Sequence, residues 1–125
     1  LLLRGERGAS VQARVEEVLE LVSMTARRHH RPSELSGGEQ QRVAIARAIV
    51  HQPQIILADE PTGNLDSHHG AEIIVLLRSL VQRFRQTVLL VTHSTDAAEA
   101  ADYVWAMKDG RLMTRTQHET VTVVA

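Results

Sequence analysis

Two short apolar runs constrain the fold of this chain more than anything else in it: Ile55 to Ala58, and Thr87 to Thr92. Each is continuous rather than alternating, and each breaks off into polar residues, which suits strands buried on both faces. Between them, Ile73, Leu76, Leu77, Leu80 and Phe84 recur at helical spacing and line one helix face. Strand, helix, strand predicts a βαβ unit whose two strands lie parallel, hence an α/β fold.

The rest of the chain is organised around that unit. Residues Leu1 to Ser10 read as loop, and Ser10 is placed to cap a helix carrying Val11, Val15, Val18, Leu19 and Val22 on one stripe. A basic loop with Pro32 follows, then a second helix from about Gly37 to Val50. Ser36 and Glu39 stand at capping-box spacing at its start. These helices form a separate helical lobe before Pro53. Beyond Thr92 a short helix is expected over Asp96 to Ala101 and a strand over Tyr103 to Met107. Asp109-Gly110 marks a hairpin turn into a last strand near Arg111 to Met113. The tail from Gln117 stays open between an edge strand and disorder. The organisation expected is therefore a helical portion over 1–52, an α/β core over 53–116 and a tail over 117–125.

Four places carry polar residues with chemical potential. Asp59 and Glu60 directly follow a buried strand, where open parallel sheets bind ligands. An Asp there can hold Mg²⁺, and an adjacent Glu pointing elsewhere can activate a water. The pair reads equally as solvated loop acids. Ser36-Gly37-Gly38-Glu39-Gln40 opens a helix, and two glycines with free N–H groups suit an approaching phosphate, as well as a plain capping box. His93, just past the second strand, can hydrogen-bond a phosphate or water, or simply end the strand. Asn64-Leu65-Asp66 lies in a turn-rich loop, and Asp66 can cap the following helix. His29-His30 and His68-His69 are adjacent pairs whose side chains should diverge, so they read as surface residues rather than metal ligands.

In this order the four strings resemble the ATP-binding subunits of ABC transporters. Leu35 to Gln41 matches the ABC signature, Ile55 to Asp59 Walker B, Asn64-Leu65-Asp66 the D-loop and His93 the switch histidine. The wording from Ser33 to Ala48 and from Leu57 to Asp66 is similar to the lipoprotein-release and macrolide-exporter subgroup. The resemblance implies the C-terminal part of a P-loop NTPase, with a RecA-like parallel sheet, plus part of the ABC helical subdomain. It implies an ATPase with ATP and Mg²⁺ as ligands, in which two nucleotide-binding domains meet head to tail, as a homodimer, and drive a transmembrane permease from the inner, cytoplasmic face of the membrane. On this mapping Ser36, Gly37, Gly38, Glu39 and Gln40 meet the ATP of the opposite subunit. Asp59 serves Mg²⁺, Glu60 and His93 are catalytic, and Asn64, Leu65 and Asp66 lie at the interface.

One departure is large. A phosphate-binding P-loop needs G-x-x-x-x-G-K-[ST], and the one lysine here is Lys108, between Met107 and Asp109. The resemblance implies that Walker A, the Q-loop and the adenine-stacking aromatic lie upstream of Leu1. A catalytically inactive remnant or interaction module is the competing reading. A chromosome-maintenance or DNA-repair ABC ATPase is a weaker one, because no sustained heptads occur and the net charge of −1 offers no phosphate-binding stripe, so no nucleic-acid partner is expected. The absence of cysteine excludes disulfides and thiolate metal sites.

Overall fold

The computed structural model describes residues 8–117 and 122–124. The chain divides into two compact units, Leu1–Pro53 and Gln54–Ala125.

The first unit is helical. Helix α1 spans Ala9–Leu21 and α2 spans Gly37–Ile49, with short 3₁₀ turns at Thr25–Arg27 and Pro32–Glu34. Val18, Val22 and Met24 form its core with Ile45, Ala46 and Ile49. Ser10 is not the cap expected: α1 starts two residues earlier, from Gly8 with φ 83°. Glycine reaches that backbone region without steric cost, so the chain enters the helix there and Ser10 falls inside the first turn. The loop expected over Leu1 to Arg7 lies outside the described residues. Arg14 ties the two helices by donating from Nε to the Val50 carbonyl at 3.2 Å.

The second unit contains the βαβ element. Strand β1 is Ile55–Asp59, helix α3 Ser67–Phe84 and strand β2 Thr87–Val91. The two strands pair in parallel, Ile55 with Thr87 through Asp59 with Val91. Ile56, Val88 and Leu90 are buried, as are Ile73, Leu76, Leu77 and Leu80 of α3 and Ala97 of helix α4, Thr95–Glu99. Strand β3 (Tyr103–Lys108) pairs antiparallel with β4 (Arg111–Gln117). Asp109 and Gly110 make the turn, both at positive φ as a two-residue hairpin requires. Strand β5, Thr122–Val124, runs parallel to β3 on its other side. The tail thus contributes a strand; residues 118–121 and 125 lie outside the described part.

One expectation fails. The two parallel strands are buried on one face only: Ile55 is 59 % and Leu57 75 % exposed, and Val91, in register with Asp59, is also open. Side chains alternate along a strand, so these residues form one apolar row opposite the row that packs inward with Ile56. No described element of this chain covers it. An uncovered apolar row on a β-sheet favours self-association. Leu57→Lys is therefore expected to shift the purified chain from oligomers toward monomer in sedimentation velocity while leaving its circular dichroism unchanged.

Candidate functional site

In the first unit the helix start is built as the capping pattern requires. The Ser36 Oγ accepts from the Glu39 N–H at 3.2 Å, and the Glu39 carboxylate accepts in return from the Ser36 N–H at 2.8 Å. The second oxygen of Glu39 takes Arg27 Nε at 2.8 Å. The Ser36 N–H, with help from Arg27, holds the Glu39 carboxyl below its ordinary range. Gln40 donates to the carbonyls of Pro32 and Leu35, both at 3.1 Å, and so braces the loop leading into the helix. The Glu39 and Gln40 side chains are thus occupied in shaping this turn. The N–H groups of Gly37 and Gly38 belong to the first helical turn, which has no intrahelical acceptor, and they lie at the positive end of the helix dipole.

In the second unit Glu60 and His93 follow the C-terminal ends of β1 and β2. Pairing of the strands extends one step further, with the Glu60 N–H donating to the Val91 carbonyl at 2.9 Å. Glu60 adopts φ 43°, a left-handed turn that ends the strand. Its side chain enters a cleft of about 810 Å³. His93, Asn64, Leu65, Asp66 and Ser94 also line that cleft. His93 Nε2 stands 3.4 Å from Glu60 Oε1. That separation is too long for a firm hydrogen bond, and Glu60 Oε1 is buried with no other hydrogen-bond partner. A buried acceptor left open in this way calls for an explanation.

The loop that follows is fitted closely to Glu60. The Gly63 N–H donates to the Glu60 carbonyl at 3.1 Å, and a Cβ at Gly63 would sit 3.4 Å from that of Glu60. Gly70 lets α3 approach Thr62, whose Cβ would be 3.5 Å from an added one. Asp66 caps α3, its Oδ1 accepting from the His69 N–H at 3.0 Å. That bond, together with the His69 ring, holds the Asp66 carboxyl below its ordinary range. Ser94 caps α4 by accepting from the Ala97 N–H.

Asp59 does not line the cleft. It continues the exposed row of Ile55 and Leu57 at the end of the strand, whereas Glu60, in its left-handed turn, lines the cleft. Of the residues singled out in sequence, one unit brings Glu60, His93 and Asn64 to Asp66 together around one cleft. The other holds Ser36 to Gln40. Sequence reading missed Gly70, which packs against Thr62; a glycine within the first turn of a helix was the signal available. It also expected His68 and His69 to diverge, yet their rings meet edge-on with centroids 5.6 Å apart. His69 turns back toward its cap, with Nδ1 2.6 Å from Asp66 Oδ2, instead of following the helix outward.

Comparisons with known proteins found the following similarities. The family model described as ABC transporter matches residues 4–63. A lipoprotein-releasing system ATP-binding protein, LolD 2 of Rhodopirellula baltica, is 50 % identical over 103 residues, covering 82 % of this chain and 40 % of that protein. The macrolide export ATP-binding/permease protein MacB of Chlorobaculum tepidum is 55 % identical over 92 residues, 74 % of this chain and 14 % of that protein. Among solved structures, the dimeric post-hydrolysis state of the ATP-binding cassette MJ0796 bound to ADP and Pi superposes with a TM-score of 0.77 at 40 % identity. That match covers 91 % of this chain and 50 % of the other. The chain thus spans half or less of the length of each.

Proposed function

We propose that this chain belongs to the ABC transporter ATP-binding family, to which it is similar, and that it supplies the signature side and the catalytic-carboxylate side of a composite ATPase site. The observation that carries the reading is the buried, unpartnered oxygen of Glu60 beside His93, beyond the ends of two parallel strands. Such an acceptor fits an attacking water: Glu60 would orient it and take its proton. His93, almost fully exposed, would donate to the transferring phosphoryl oxygens.

The residues present fit part of a nucleotide site. The Gly37 and Gly38 N–H groups and the Ser36 hydroxyl suit phosphate oxygens at a helix start. Glu39 and Gln40 hold that loop in shape as well as bordering it. Asp59 would hold Mg²⁺, which when bound neutralises phosphate charge. The lysine-bearing phosphate cradle is not among these 125 residues. Ser36 to Gln40 of one subunit would face the nucleotide held by another, with Asn64, Leu65 and Asp66 at the interface between them. The portion 1–52 serves the first task and 53–116 the second, while 117–125 is a tail. No described helix is long and apolar enough to cross a membrane. The work of the assembly, lipoprotein release or export as in the systems named for its relatives, would pass to a transmembrane permease from its cytoplasmic face.

Ser36→Arg tests the signature role. It removes the hydroxyl and places a long cationic side chain at the helix start, where the dipole already disfavours positive charge. In a cassette completed with a P-loop segment, turnover should fall at least about a hundredfold, the scale of losing an oriented donor. Nucleotide binding by equilibrium dialysis should persist. Unchanged turnover would remove Ser36 from the site.

A further inference from the structure

We propose that His68, His69 and Glu72 form a binding site for a divalent transition-metal ion at the start of α3. Each offers one ligand atom, and these atoms all lie within 4.8 Å of one another. His68 Nδ1 is already 3.8 Å from Glu72 Oε1, one helical turn on. Around a tetrahedral ion with bonds of about 2.0–2.1 Å, ligand atoms stand roughly 3.3 Å apart. The gap to be closed is therefore a small rotation. The His68 side chain is 79 % exposed and that of Glu72 43 %, so both have room to make it.

Asp66 makes the arrangement more than a chance meeting of surface groups. Its Oδ2 lies 2.6 Å from His69 Nδ1. With the proton on Nδ1 directed at that carboxylate, Nε2 is the ring nitrogen that would turn to the metal. A carboxylate behind the imidazole is the arrangement that orients metal-ligating histidines and raises their basicity. The start of a helix disfavours a cation, and the negative charges of Asp66 and Glu72 offset this. Two imidazoles and one carboxylate select Zn²⁺, Ni²⁺ or Cu²⁺ over Mg²⁺, whose preference is for oxygen ligands in octahedral array. Three protein ligands leave a fourth position for water or for a group from outside the chain. The site is distinct from the Mg²⁺ position proposed at Asp59, and it rests on these ligand groups alone, whatever the fate of the ATPase reading.

Calorimetric titration of the full chain with ZnCl₂, with Co²⁺ absorption as a second readout, tests it. One ion per chain should bind, with a hundredfold excess of Mg²⁺ failing to compete. His68→Ala and Glu72→Gln should each weaken binding at least tenfold. Asp66→Asn, which keeps a good helix cap, should weaken it about 10–100-fold through the lost support of His69. Running the series also in the Leu57→Lys background keeps the measurement free of self-association. No saturable binding, or binding equally strong in His68→Ala and Glu72→Gln, would overturn the proposal. The latter result would put the ion on other histidines such as His29 and His30.

Discussion

In a cassette that joins this chain to a P-loop-bearing segment, Glu60→Gln should lower steady-state ATP hydrolysis by about two to four orders of magnitude, the contribution of a positioned general base. Binding of ATP should survive, because glutamine keeps the shape of the side chain and most of its hydrogen bonding. The geometry makes the expectation specific. Glu60 Oε1 is buried in a cleft with no firm partner, held there by a left-handed backbone turn and the close approach of Gly63. Among the described residues Oε1 accepts no hydrogen bond that the change would remove. The variant should therefore melt at an unchanged temperature and accumulate as an ATP-bound dimer on size exclusion. Near-normal phosphate release would take Glu60 out of its proposed role, and a collapse of stability would make that role structural.

The second large effect concerns these 125 residues by themselves. They should show no measurable ATP turnover and no micromolar binding of Mg-ATP. Phosphate affinity in P-loop proteins comes from a nest of backbone N–H groups, its lysine and a hydroxyl on Mg²⁺. Lys108, flanked by Met107 and Asp109 beside the hairpin turn, satisfies none of that pattern. Asp59 and Glu60 would meet the phosphates as like charges without a countercharge. Two copies of the chain offer two signature loops and two carboxylates, still with no cradle. Calorimetry with Mg-ATP beside a phosphate-release assay measures both quantities. Tight binding would mean that the phosphates are held by groups other than a P-loop. Adding the P-loop segment should restore turnover, and this separates the working part of an ATPase from an inactive remnant, in which the addition changes nothing.

Much of this was legible in the sequence, for identifiable reasons. The parallel pairing of β1 and β2 followed from two short apolar runs separated by a stripe from Ile73 to Leu80, because few other arrangements bury such runs. The cap at Ser36 and the turn at Asp109-Gly110 were readable because each depends on local chemistry, a hydroxyl facing an N–H and residues tolerant of positive φ. What stayed hidden depends on neighbours distant in sequence or on the course of single side chains. The exposure of Ile55 and Leu57 could not be read, since an apolar run looks the same whether one face is covered or two. The convergence of His68, His69 and Glu72 follows from His69 bending back to Asp66, which helical periodicity does not encode. The strand at Thr122–Val124 lacks strong alternation and owes its form to pairing with β3.

The central claim is that this chain gives its signature loop to one active site and its carboxylate to another. Mixing two variants of the completed cassette tests it most directly. Ser36→Arg and Glu60→Gln should each be inactive alone. In a head-to-tail dimer of one with the other, one site inherits an intact Glu60 from the first chain and an intact Ser36 from the second. The remaining site carries both defects. With random pairing at equal concentration, half the dimers are mixed and each holds one good site, so roughly a quarter of the unmodified turnover should return. A mixture no more active than its separate components would contradict the account, since it would place Ser36 and Glu60 in service of the same site within one chain.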